Sequence, residues 1–204
     1  MGDENSLRED ISYLRQIAES GRKGPILGGI FLAGAGAVFG GACFVDAARQ
    51  HGILPQSLNT LVIWLGAAVV FAVFWVAMFL RLMKRGKPVA TAPNATFGTI
   101  WSACGIGVMV CYLTTLLIAR ELHSDLVLAG YVPVIFAFYG TAWFASAALA
   151  RKRWMHLASV GSFLYAFAVA LLIDSPWMTA AMGVGLLLLL TLPGLKLVAD
   201  EAQS

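Results

Sequence analysis

The chain of 204 residues is 59% hydrophobic and only 12% charged, with a mean hydropathy of +0.79. Soluble domains carry roughly a quarter charged residues, so an ordinary soluble enzyme or binding module is excluded. The formal charge of +3 does not indicate nucleic-acid binding, because the basic residues sit in short segments between apolar stretches, where they serve topology and anionic headgroups.

Residues 1–24 are polar and of mixed charge, and no cleavable signal peptide is expected among them. Ser6 and Glu9 form a capping box: the Ser hydroxyl accepts from the Glu9 amide, and the Glu carboxylate reaches back to the Ser6 amide. The helix it opens carries Leu7, Ile11, Leu14 and Ala18 on one face and ends at Gly21. Arg8, Glu9, Asp10, Arg15 and Glu19 leave the other face nearly neutral, unlike the Lys/Arg-rich face of a helix that lies on a membrane. A helix of about 14 residues is marginal in water. Its apolar stripe is therefore expected to bury against protein, either its own bundle or a partner.

Residues 25–198 read as six apolar spans, at about 26–48, 57–80, 97–119, 126–150, 154–173 and 177–198, followed by a short tail at 199–204. Each approaches the roughly 20 residues that cross ~30 Å of hydrocarbon. Pro88 and Pro93 mark residues 86–96 as a linker. Lys and Arg in the successive segments between spans number 4, 1, 4, 1, 3, 0 and 1. Cytoplasmic loops retain Lys and Arg, so both termini are expected in the cytoplasm. Trp101 and Trp154 near the inner interface, with Tyr131 and Trp177 near the outer one, fit the same orientation. The expected fold class is all-α: a polytopic six-helix bundle with a short cytoplasmic amphipathic helix. A 3+3 inverted repeat, common in transporters, is not evident in the residues.

Small residues recur at helix-packing spacing. The first span has Ala33, Gly36 and Gly40 on one stripe, with Cys43 and Ala47 continuing it. Between apolar helices in lipid, close backbone approach supplies the attraction, so this stripe is expected to touch a neighbouring helix, within the chain or in an oligomer. Cys43, Cys104 and Cys111 lie within spans and read as buried thiols, with neither a disulfide nor a metal expected.

No Asp, Glu, Lys, Arg or His falls near the centre of a span, which disfavours a proton-coupled carrier. Hydroxyls do: Tyr112, Thr114, Thr115, Tyr139 and Thr141, with Ser162 and Tyr165 at similar depth, form a candidate polar seam for a neutral or weakly charged solute, or simply bond helix to helix. Asp46, Arg49, His51, Arg120, Glu121, His123, Asp125 and Asp174 gather in the outer segments without a zinc-site spacing. No intramembrane-protease motif, Walker loop or dinucleotide fingerprint is present, so no catalytic residue or cofactor is expected.

The run Leu14-Arg15-Gln16-Ile17-Ala18-Glu19-Ser20-Gly21-Arg22, leading into Pro25 and Gly28-Gly29, resembles the start of small multi-spanning bacterial inner-membrane proteins. The likeness covers about the first 40 residues and implies a location in that membrane without adding a site. Taken together, these features suggest a non-enzymatic accessory, scaffold or sensor component acting through protein association, as a homo-oligomer or with a partner at the N-terminal helix. The alternative is a small transporter or channel built on the hydroxyl seam, and an enzyme acting on lipid comes third.

Overall fold

The computed structural model describes residues 28–55, 57–84 and 92–202, and among them every regular element is helical. The elements are α1 (Gly29–Gln50), α2 (Thr60–Lys84), α3 (Ala92–Leu122), the short α4 (Asp125–Ala129), α5 (Tyr131–Ala150), α6 (Arg153–Ala170), α7 (Met178–Leu186), a π-helical turn (Leu187–Thr191) and α8 (Leu192–Ala202). Leu7, Ile11, Leu14 and Ala18, and with them the expected N-terminal helix, lie outside the described residues.

Five stretches are long and apolar enough to cross a membrane: Gly29–Gln50, Thr60–Lys84, Asn94–Leu122, Leu126–Ala150 and Met178–Ala202. The chain is accordingly a multi-pass helical membrane protein. The expected span at 154–173 is present as the 18-residue helix α6, which does not meet the same standard because Arg153, His156, Ser159 and Ser162 dilute its apolar content. It lies along α5 as an antiparallel hairpin. Arg151, in the left-handed conformation at φ 52°, closes the turn between them.

Other boundaries move for local reasons. Helix α3 begins at Ala92 rather than near Phe97, since Pro93 falls in its first turn, where the missing N–H would have had no intrahelical partner. The expected span 126–150 divides at Gly130 into α4 and α5. Pro133 has no N–H to offer the Ala129 carbonyl four residues earlier, so the α-helical ladder is interrupted there.

The centre of the fold is the pairing of the first and last spans. Ala33, Gly36, Gly40 and Cys43 on α1 face Gly183, Leu186, Thr191, Gly194 and Leu197. A Cβ on Gly29 would lie 2.7 Å from the Gly194 carbonyl oxygen, and one on Gly194 would lie 2.6 Å from the Ala33 nitrogen. The two backbones are thus in direct contact, and this closeness is what small residues achieve in lipid. Around the pair, Leu32, Cys43, Phe97, Trp143, Ala147, Met155, Leu186, Leu190 and Leu197 form the main core.

The π turn has a definite cause. An α-helix would pair the Leu189 carbonyl with the N–H of residue 193, but that residue is proline. The helix widens, with the Leu192 amide bonding to the Leu187 carbonyl five residues back. Trp143, wholly buried on α5, donates its Nε1–H to the Leu189 carbonyl at 2.9 Å. A side chain from a neighbouring helix thereby replaces the donor that Pro193 lacks.

At the end of the bundle away from the basic segments, Asp46 is 4% exposed and fully engaged. Its carboxylate accepts from Arg49 Nε at 3.0 Å, Gln50 Nε2 at 3.2 Å and the Thr60 hydroxyl at 3.2 Å. Gln50 Nε2 also reaches the Thr179 hydroxyl at 3.1 Å, so one polar knot ties α1 to the starts of α2 and α7. Asp46→Ala is expected to lower stability by about 1–2 kcal/mol, through loss of the charged acceptor that joins the three helices. The check is thermal unfolding in detergent, with Gln50→Ala as the milder comparison.

Candidate functional site

The helices divide into a packed centre and a loose periphery. Helix α2 packs on α1, and α3 packs on α5, while α2 and α3 are not principal neighbours of each other. Between them opens a groove of about 440 Å³ at the basic end of the bundle. Phe31 and Ala35 of α1, Phe71, Trp75 and Phe79 of α2, and Phe97, Trp101 and Gly105 of α3 line it, with Tyr139 at its floor.

Ring stacking shapes this surface. Trp75 and Phe79, four residues apart on α2, lie 5.2 Å apart and nearly parallel at 7°. Phe31 meets Trp75 at 5.7 Å across the α1–α2 contact. On the opposite wall Trp101 contacts Phe97 and Tyr139, each at 6.1 Å, and meets Trp143 edge-on at 5.0 Å. Trp143 in turn touches Trp154 at 5.9 Å, and Lys196 lies 5.5 Å from the Trp154 ring. An aromatic chain therefore links the groove to Lys196 on α8. The Nε1 of Trp101 is buried without a hydrogen-bond partner. Lys152 pairs with Asp200 at 2.6 Å, tying the α5–α6 turn to α8.

The hydroxyl residues singled out from the sequence are scattered. Tyr139 lines the groove, the only one of them to do so. Thr141 is exposed and donates to the Ala137 carbonyl of its own helix at 3.0 Å. Tyr112 packs its ring against Tyr131 at 5.4 Å, Thr114 is exposed and Thr115 is half-buried. Two hydroxyls join helices: buried Ser159 donates to the Gly140 carbonyl at 2.8 Å, and half-buried Tyr165 to the Ala181 carbonyl at 2.6 Å.

The acidic and histidine residues at the opposite end do not converge. Among the described residues no three of His, Cys, Asp and Glu are grouped to hold a metal ion. His51 packs against the Trp177 ring at 4.7 Å, tilted by 37°, and Asp46 is occupied as described above.

Sequence reasoning did not single out the groove. Its residues are apolar side chains in helices apolar on all sides, and only the separation of α2 from α3 makes them a site. Glycines of two kinds mark the difference between wall and interface. Gly34 and Gly140 have the rings of Phe74 and Phe163 laid directly over them, while Gly98 and Gly105 on the groove side of α3 have nothing within 4 Å of a Cβ. No protein-family model, curated protein or solved structure matches the chain.

Proposed function

We propose that the chain is a non-enzymatic accessory, scaffold or sensor component of the bacterial inner membrane that acts by association, with both termini in the cytoplasm. The observation that supports this reading is the uneven burial of its spans. In α1 and in the last span 44% of the apolar stretch is buried within the protein, against 6% in α2 and 11% in the third span. Two whole helices hang on the centre by one face each and offer the rest of their surface to the membrane plane. Gly66 on α2 belongs to this surface, with nothing from another helix among the described residues within 4 Å of a Cβ there. An exposed glycine costs a helix roughly 1 kcal/mol relative to Ala, and close approach by another helix offsets that cost. The dispersal of Tyr112, Thr114, Thr115 and Thr141 away from the groove gives the transport alternative less support.

The N-terminal residues Leu7, Ile11, Leu14 and Ala18 are the second contact surface in this proposal, on the cytoplasmic side. The double change Ile11→Asp, Leu14→Asp should leave membrane insertion intact and abolish partner capture or self-association in mild detergent. A wild-type chain that is monomeric and partner-free, or a variant that keeps every partner, would overturn the reading. The orientation is tested separately with single cysteines: positions 87 and 152 should be protected from a membrane-impermeant reagent in intact cells, and positions 51 and 123 should label.

A further inference from the structure

We propose that the groove between α2 and α3 holds one acyl chain of an anionic membrane lipid, with the lipid headgroup at the basic end of α2. The dimensions support a chain of that kind. From Asn94 to Gly105 the groove follows α3 for 12 residues, roughly 18 Å at 1.5 Å per residue. That is slightly more than the ~15 Å that one leaflet contributes to a ~30 Å hydrocarbon core. The volume of about 440 Å³ lies within the range of specific small-ligand sites, roughly 300–1,000 Å³. Aromatic rings on both walls favour a flexible alkyl chain, which can follow an irregular slot.

Charge sets the class of headgroup. Leu82 and Asn94 line the end of the groove, and Arg81 and Lys84 flank Leu82 on the last turn of α2, both exposed. Arg85 and Lys87 follow in the sequence, and from residue 47 to residue 120 there is no Asp or Glu at all. An apolar slot one leaflet deep, beside a run from α2 to α3 that carries Arg and Lys but no Asp or Glu, is complementary to an anionic amphiphile.

Two other occupants fit less well. Gly28 lies at the rim of the groove, and 27 residues precede it in the sequence. Their Arg8, Glu9, Asp10, Arg15 and Glu19 would be carried into hydrocarbon if that segment filled it, at a cost of several kcal/mol. A partner helix is a rigid cylinder at least ~10 Å across and follows the uneven, ring-lined walls less closely than a flexible alkyl chain does.

The test uses the full chain reconstituted in vesicles of equal phosphatidylglycerol and phosphatidylcholine, extracted in mild detergent and weighed by native mass spectrometry. One phosphatidylglycerol per chain should remain bound in preference to phosphatidylcholine. Gly105→Phe fills the groove from a position where a Cβ meets nothing within 4 Å, and it should lose the lipid while keeping its melting temperature. Gly98→Leu, equally unobstructed, serves the same purpose if the Phe variant does not fold. Arg81→Gln with Lys84→Gln should retain a bound lipid but lose the headgroup preference, by roughly fivefold per charge removed. The proposal is overturned if the wild type retains no lipid or both lipids equally, or if the filled variants retain lipid as the wild type does. It is also overturned if lipid enters only after residues 1–24 are deleted, since that segment would then be the occupant.

Discussion

Gly36→Leu is expected to be among the most damaging single substitutions in the bundle, lowering stability by about 3 kcal/mol or more. A Cβ at Gly36 would collide with the Thr191 hydroxyl and would stand 2.7 Å from the Thr191 nitrogen and 2.8 Å from the Leu186 carbonyl oxygen. Those last two are backbone atoms, held by the helix and unable to swing aside. At Gly40 the nearest atoms are the Gly183 carbonyl oxygen and the Leu187 side chain, all at 3.3 Å. Gly40→Leu should therefore cost less, about 1–2 kcal/mol, as the leucine gives way. Gly41, one residue on, has nothing within 4 Å, and Gly41→Leu should be neutral within error. The ordering is read from melting temperatures of the three variants in one detergent. Equal melting temperatures would mean that the first and last spans do not touch along this face.

Trp143→Phe is the second large effect, about 1–3 kcal/mol beyond the lost ring area, because it leaves the Leu189 carbonyl without a donor in a dry core. The size depends on Pro193, which is why the carbonyl needs an outside donor. In a Pro193→Ala background, residue 193 regains an N–H that Leu189 can accept from, so Trp143→Phe should become milder. A double-mutant cycle on thermal stability measures the coupling, expected at about 0.5–2 kcal/mol. Additive effects would mean that the π turn and the indole bond are independent features.

The two series explain what each glycine and proline contributes to the shape. The centre of the protein tolerates no added atoms at Gly29, Gly36 and Gly194, where backbone meets backbone. The groove tolerates them freely at Gly98 and Gly105. Rigidity is thus concentrated in the first and last spans, and the surface open to ligands or partners lies on α2 and α3, which few intrachain contacts restrain.

The sequence by itself determined the helical, multi-pass character of this protein. Helix formation and hydropathy are local properties, and stretches such as Thr60–Lys84 declare them without any partner. The interruptions at Pro133 and Pro193 also have a local cause, a missing N–H acting four residues away on the same helix, although the apolar pattern of 126–150 and of 177–198 predicts one unbroken span each. Small residues such as Ala33, Gly36 and Gly40 could be marked as contact positions, because only close approach compensates for their lack of side chain. Which helix they meet was not legible. In water a buried face is apolar and an exposed face polar, so periodicity reveals orientation. In lipid both faces are apolar, and the pattern that would orient Phe71, Trp75 or Trp101 is erased. The hydroxyls misdirected attention for a related reason: Thr141 satisfies itself on its own helix and signals nothing about a path. Only the tertiary structure paired the first span with the last, set Trp143 against Leu189, and held α2 apart from α3 to leave a groove where the sequence shows an unbroken run of apolar residues.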